Sequence, residues 1–371
     1  MQISVPRQTS PMERRVGLTP EVVKRLAAAG HAIVVESGAG LDAGYADTDF
    51  EEAGATICEP GSGWSGDLVV TIDRPSTDVT VSGAVLGLLR PFDEPEAMRD
   101  LAGRGLMTFA FEAVPRTTRA QVVDALSSQA TVAGYQAVLE AAAHCDRLFP
   151  MLTTAAGTIR PSKVLILGAG VAGLQAIATA RRLGAIVSAF DVRAAAADQV
   201  RSLGATFVEV GSEPQDAAAA GGYAREVADD AQAKILEGLA PHVAASDAIV
   251  STAAIPGRPA PMLIDRSMVE RMRPGAVIVD LAASTGGNCE LTEPGETISH
   301  GGVSIVGATD LVSRVARDAS AMYARNAAAF IELVTGEDGE FVPNWDDDIV
   351  AESCITRDGE VVHPRIKESQ P

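Results

Sequence analysis

Residues Lys163–Arg193 read KVLILGAGVAGLQAIATARRLGAIVSAFDVR, and this stretch constrains the chain more than any other. Val164–Leu167 is a short, wholly apolar run, the pattern of a parallel strand buried on both faces. Gly168, Gly170 and Gly173 follow at G-x-G-x-x-G spacing. A helical run to Leu183 comes next and is closed by Gly184. Ile186–Phe190 reads as a second strand that ends at Asp191. Gly168 permits the tight turn, Gly170 lets a pyrophosphate approach the backbone, and Gly173 lets the helix pack on the strand. The helix N-terminus offers free N–H groups and partial positive charge to the phosphates. Asp191 sits where a carboxylate accepts hydrogen bonds from the adenosine ribose, and it would repel a 2′-phosphate. The next residues are Val192 and Arg193. Arg193 alone pulls towards a 2′-phosphate, or else is a solvated surface charge. A glycine triplet by itself is weak evidence. Its context here, strand before and helix after, with an acid ending the next strand, points to dinucleotide binding and to NAD(H) over NADP(H).

At 371 residues the chain can hold two cores. A net charge of −19 argues against nucleic acid or an anionic membrane surface as a direct partner. Cys58, Cys145, Cys289 and Cys354 are scattered, and neither they nor the five histidines show metal-ligand spacing. The reading is therefore a reducing compartment, no metal, and no disulfide framework. MQISVPRQTS is not a signal peptide, and no apolar run approaches the ~20 residues of a membrane span.

Strands alternate with helices before the fingerprint as well. Strands are expected at Met1–Val5, His31–Glu36, Ala55–Cys58, Leu68–Ile72, Ala84–Leu89 and Gly105–Ala110. Helices are expected from Pro20, at Asp49–Ala53 and at Pro95–Ala102. Thr19 is expected to cap the first of them. This predicts a second parallel α/β domain without a phosphate loop. Glu112–Gln129 is polar and carries two arginines, ahead of a helix beginning near Ser127 or Ser128. It reads either as an ordinary solvated helix start or as a loop whose side chains hold a nicotinamide in an interdomain cleft.

After the fingerprint, Leu203–Val210 is expected as the third strand of the nucleotide domain. Gly211–Ala233 reads as a mobile surface loop containing Gly221-Gly222-Tyr223. Strands at Ala248–Thr252 and Ala276–Leu281 lead into AAIPGRPAP, which includes Ala254, and ASTGGNCELTEPG. Both are turns on the sheet edge where α/β folds bind ligands. Val303–Val306 is the last strand of that domain, and Asp310–Val334 reads as one long helix returning the chain. Asp358-Gly359 marks a terminal hairpin, with Lys367–Pro371 expected to be disordered. The fold class expected is α/β: two Rossmann-like, doubly wound parallel-sheet domains. The first comprises residues 1–127 plus 310–371, and the nucleotide domain, 128–309, is inserted into it.

Taken together, PRTTRAQVVDALSSQ, AGYQAV, TAAGT, LGAGVAGLQAIATARRLGA, DVRAA, AGGYA, IPGRPAP and DLAASTGGNCELTEPG resemble one family. It is the NAD(H)-binding soluble component, or alpha subunit, of proton-translocating NAD(P) transhydrogenase, which is related to alanine dehydrogenase. The resemblance implies that Arg116, Gln121 and Asp124, with Ser127, close over the nicotinamide of NAD(H). It also implies that a mobile loop at Gly222 and Tyr223 folds over the nucleotide. It implies a homodimer and a partner component holding NADP(H). A membrane-embedded proton-channel component would tether this one, cytoplasmic and peripheral, to the inner face of the plasma membrane. Alanine dehydrogenase instead needs a lysine, a histidine and an aspartate to handle protons. Thr71, Arg90 and Ser284 occupy those positions, although Arg15 is retained. General acid–base chemistry needs a titratable group in reach, whereas hydride transfer between two nicotinamides needs positioning and exclusion of water. An amino-acid dehydrogenase and a non-catalytic NAD-binding protein are the alternatives.

Overall fold

The computed structural model describes residues 1–210, 229–255 and 257–368. The chain divides into two compact units, Met1–Gln129 with Val312–Pro371, and Ala130–Leu311.

In the first unit the strands are β1 (Gln2–Val5), β2 (Ala32–Glu36), β3 (Thr56–Cys58), β4 (Ser65–Asp73), β5 (Ser82–Leu88) and β6 (Thr108–Ala110). All pair in parallel, in the order β3-β2-β1-β4-β5-β6. This is the doubly wound order, with its switch between β1 and β4. The strands are nearly continuous apolar runs because helices cover both faces. Ile3, Val5, Leu68, Val70 and Leu86 pack with Tyr323 and Phe330 from the return helix in one core.

In the second unit β7 (Leu152–Thr154) and β8 (Gly157–Ile159) form a separate antiparallel hairpin. The main sheet comprises β9 (Lys163–Leu167), β10 (Ile186–Phe190), β11 (Thr206–Phe207), β12 (Ala248–Ser251), β13 (Val277–Asp280), β14 (Thr297–His300) and β15 (Val303–Gly307). Its order is β11-β10-β9-β12-β13-β15-β14, parallel except for β14. The switch point lies between β9 and β12, beside the glycine fingerprint. The chain then returns to the first unit through β16 (Cys354–Arg357), antiparallel to β6, and β17 (Glu360–Val361). Asp358 and Gly359 both have positive φ, 56° and 80°, the conformation that a two-residue primed turn demands. Both units are thus Rossmann-like parallel-sheet folds. No helix among the described residues is long and apolar enough to cross a membrane.

Local departures from the sequence expectations have physical causes. The helix expected from Ser127 or Ser128 starts earlier, at Ala125, because Asp124 accepts from the Ser127 amide at 2.9 Å and caps it. The expected strand Leu203–Val210 shrinks to two paired residues at the sheet edge. The return helix is broken: Leu311–Arg314 and Ala316–Leu333 are separated by Val315 at φ −110°, ψ 46°. Ser313 there bonds the N-terminal segment, accepting from the Arg14 amide and donating to Glu13. Thr19 makes no side-chain cap. Lys367 ends a short helix, Pro364–Lys367, while residues 369–371 lie outside the described residues. Helix Asp229–Ala245 takes in the end of the expected surface loop, and the rest of that loop, residues 211–228, lies outside the described residues.

Gly134 tests how tightly the second unit is packed. A Cβ there would collide with the carbonyl of Ala172, on the neighbouring helix Val171–Arg182. Gly134→Ala is expected to lose about 1–3 kcal/mol in urea unfolding. Gly103→Ala, in a helix with nothing within 4 Å of the new methyl, is expected to gain ~0.5–1 kcal/mol.

Candidate functional site

In the second unit the turn after β9 is built for close approach. Gly168 has φ +93°, and its amide donates to the Phe190 carbonyl at 2.8 Å, tying β9 to β10. A Cβ on Gly173 would collide with the Gly168 carbonyl, so only glycine lets the helix start this close to the strand. Gly170 differs: a Cβ there would meet nothing within 4 Å. Gly170 is the N-cap of helix Val171–Arg182, and Val171 is partly exposed. The first amides of a helix have no intrahelical partner. Open space and free amides therefore coincide at Gly170, which is the cradle that a pyrophosphate fits. The Thr252 hydroxyl donates to the Leu167 and Gly168 carbonyls and closes the other side of the turn.

Asp191, at the end of β10, is buried and fully engaged. Oδ2 accepts from the Ala169 amide at 2.7 Å, and Oδ1 accepts from the Arg193 amide at 2.9 Å. The Arg193 guanidinium binds the same carboxylate through Nε at 2.9 Å and a terminal nitrogen at 2.8 Å. Arg193 is therefore not the solvated charge that sequence allowed. It is a side chain held on Asp191, whose hydrogen bonds raise its pKa. Val192 packs against the second-unit core.

The two loops on the same sheet edge rest on a second buried carboxylate, one that sequence reasoning did not single out. Asp280 accepts from the amides of Ala282, Asn288 and Cys289 and from the Thr292 hydroxyl at 2.7 Å. Asn288 passes the order on: its Oδ1 accepts from Ser251 and the Ala253 amide, and its Nδ2 donates to the Ala253 and Pro261 carbonyls. Ala254 is exposed in the loop that Asn288 braces. An acid ending an apolar strand, followed by Gly-Gly-Asn, was the available signal. Gly222 and Tyr223 lie outside the described residues.

In the first unit Arg116 and Gln121 lie along a loop that follows Phe111–Ala113 and includes the 3-10 turn Arg119–Val123. Gln121 and Arg116 are both exposed. Ala120 and Val123 are buried in the core, and the Val122 carbonyl accepts from Asn326 at 2.8 Å. Asp124 and Ser127 form one cap, with the Ser127 hydroxyl donating to Asp124 at 2.6 Å. The four residues thus share one stretch of chain.

Two of the three positions that the resemblance singles out, Thr71 and Arg90, stand at the carboxyl edge of the first-unit sheet. Thr71 is buried and donates to the Asp73 carbonyl. Arg90 has φ 54° and its guanidinium reaches Asp73 at 3.3 Å. The third, Ser284, is exposed in the second unit. Arg15 is largely but not fully buried, and its Nε, NH1 and NH2 groups donate to Glu13, Gln129 and Glu13 respectively, at 2.8, 2.9 and 2.6 Å. Burial acts to lower the Arg15 pKa, but the bonds and charge of Glu13 outweigh it and raise it.

Matches to known proteins agree with this architecture. The family of the alanine dehydrogenase/PNT N-terminal domain matches residues 4–133, and that of the alanine dehydrogenase/PNT C-terminal domain matches residues 137–364. An NAD(P) transhydrogenase subunit alpha of Rhodospirillum rubrum is 44% identical over 99% of both chains. The chain belongs to the NAD(P) transhydrogenase subunit alpha family. A crystal structure of transhydrogenase from Sinorhizobium meliloti matches with a TM-score of 0.87 at 42% identity, over 98% of this chain and all of that one. Alanine dehydrogenase of Bacillus subtilis is 32% identical over 79% of this chain and 73% of its own. The transhydrogenase family is thus the nearer of the two branches in both identity and coverage.

One titratable group in the first unit stands out in this transhydrogenase-family chain. Burial pushes Glu112 up to about 7, although its carboxylate accepts from the amides of Leu89 and Arg90. Its folded value lies above the ordinary 4.5, so the folded chain binds the extra proton between these values. The stability that Glu112 contributes is complete below about pH 4.5 and is lost as pH rises through about 7. The loss is about 3 kcal/mol. Urea unfolding of Glu112→Gln is expected to lack this fall between about pH 5 and pH 8.

Proposed function

We propose that this chain is the NAD(H)-holding component of a proton-translocating transhydrogenase. It presents NADH to NADP+ held on a separate component, and hydride passes directly between them. The observation that carries the proposal is the glycine turn of the second unit. The Gly168–Gly173 turn offers an open phosphate cradle. The family resemblance puts Thr71, Arg90 and Ser284 where an amino-acid dehydrogenase keeps its acid–base groups, which supports hydride transfer over amino-acid oxidation.

The first-turn amides from Gly170 onward bind the pyrophosphate. Asp191 accepts a ribose hydroxyl by exchanging a bond from the Arg193 side chain, and its charge disfavours a 2′-phosphate. Arg116 and Gln121 hold the nicotinamide amide and ribose, and the Asp124–Ser127 cap fixes the end of their loop. The bound nucleotide supplies the hydride, and the chain contributes geometry and water exclusion. Arg15 supports this reading over amino-acid oxidation, because three of its five N–H donors are already engaged by Glu13 and Gln129.

The partners are an NADP(H)-binding component and a membrane-embedded proton-channel component, which hold the chain at the inner face of the plasma membrane. The chain itself is a homodimer. The β7–β8 hairpin supports that state. An isolated two-stranded hairpin is marginal in water. This one exposes Leu152 at 43% and Ile159 at 49%, beside Met151 at 63%. Burial of these apolar side chains against a second copy would be favourable, which supports the dimer.

Stopped-flow mixing with a purified NADP(H)-binding component tests the function. NADH oxidation by an NADP+ analogue is expected only in the mixture. Alanine-dependent NAD+ reduction by the chain alone would overturn the proposal. Gln121→Asn is expected to slow transfer about 10- to 100-fold while NADH affinity changes little, since it shifts ring geometry. Equal losses in both would remove its positioning role. Leu152→Asp combined with Ile159→Asp is expected to convert the dimer to monomer in light scattering, and an unchanged mass would place the dimer contact elsewhere.

A further inference from the structure

The loop that carries Arg116 and Gln121 is tied from outside by a residue that no part of the proposed chemistry uses. Arg119 lies three residues after Arg116 and two before Gln121. Its guanidinium forms a fork on Asp347, with the two terminal nitrogens 2.7 and 2.8 Å from the two carboxylate oxygens, and it also pairs with Asp348. A bidentate arginine–carboxylate pair constrains direction as well as distance, which a lysine could not reproduce. The hydrogen bonds from Arg119 hold the Asp347 carboxyl below its ordinary value.

The carboxylates are themselves fixed. Asp347 is the N-cap of helix Asp348–Ser353, accepting from the Ile349 amide at 2.9 Å. Ile349 and Val350 of that helix are buried in the first-unit core. The helix leads directly into β16 and so into the sheet. Arg119 therefore joins the loop to a rigid platform some 228 residues further along the chain. On the other side of the loop, Ala120 and Val123 are buried and Asn326 holds the Val122 carbonyl. The backbone between Arg116 and Gln121 is thus held from two directions.

An exposed ion pair contributes little to global stability, typically about 0–1 kcal/mol. A three-residue network at this position calls for a different account. The geometry points to Arg119 as a positioning residue: clamped on Asp347 and Asp348, it sets the backbone that aims Arg116 and Gln121 at the nicotinamide. This rests on the nicotinamide-holding role proposed above for that loop.

The test uses the full chain with the NADP(H)-binding component, in single-turnover stopped flow, and NADH titration of the chain alone. Arg119→Ala, and Asp347→Asn with Asp348→Asn, are each expected to slow hydride transfer about 10- to 100-fold. NADH affinity should change less than about threefold. Asparagine retains the helix cap, so the second variant removes the charge pairing and the two-oxygen fork on Arg119 without unfolding helix Asp348–Ser353. Arg119→Asp is expected to be slow, and adding Asp347→Arg should recover part of the rate. Wild-type transfer rates in Arg119→Ala and in the double asparagine variant would overturn the proposal, as would rate and affinity falling in equal proportion. Hydrogen exchange separates this proposal from the functional one. Amides of residues 117–124 should exchange faster in Arg119→Ala than in the unmodified chain, and equal exchange overturns the clamp even where no hydride transfer is observed in any mixture. An unmodified chain that transfers nothing while Arg119→Ala still loosens those amides would count against the transhydrogenase proposal alone.

Discussion

The approach of one helix to one carbonyl governs the second unit. Gly173 lies under the Gly168 carbonyl with no room for a methyl group. That contact fixes the distance between helix Val171–Arg182 and β9. The same helix is crossed at Gly134 by the helix Ala125–His144, again with a backbone carbonyl where a Cβ would stand. Two missing methyl groups therefore set the spacing of strand, helix and crossing helix. The open face at Gly170 is the by-product of that packing, because the helix is held low enough to leave its first amides uncovered.

Around this apolar frame the loops are held by buried carboxylates whose oxygens are all engaged. Asp280 takes four donors and thereby fixes the turn that carries Asn288, which braces the neighbouring loop in turn. Asp191 has both oxygens filled by backbone amides and Arg193. Burying such a charge is tolerable only when it is well bonded. The two differ in their donors. Those of Asp280 are mostly backbone and cannot leave, whereas half of those on Asp191 come from a side chain that can. In the first unit Arg15 plays the part of Asp280, satisfied within the chain by Glu13 and Gln129.

Much of the fold was legible in the sequence because parallel strands announce themselves. VLIL, IVSAF and AIVS are mostly apolar runs, and the helix between the first two is closed by Gly184, so their type and position could be read directly. The Asp358-Gly359 turn was legible for a different reason, since few residue pairs tolerate positive φ twice. What could not be read was long-range. Nothing local in DDD at Asp346–Asp348 says that it meets Arg119, and nothing in Ser313 says that it will bond the N-terminal segment and interrupt a helix. The β7–β8 hairpin, in a stretch of small polar residues, carried no alternating apolar pattern to reveal it. Arg193 shows the limit at the site: its type was plain, but its partner two residues away depended on backbone geometry.

The return of the chain through β16 has a consequence for biosynthesis. The second unit is contiguous, so a nascent chain holds every residue of it once Leu311 has left the ribosome. The first unit still lacks its last two strands at that moment, and β6 presents an unpaired edge awaiting Cys354–Arg357. Vectorial synthesis therefore completes the inserted unit first, leaving an open sheet edge on the earlier half for as long as the ribosome takes to add the remaining segment.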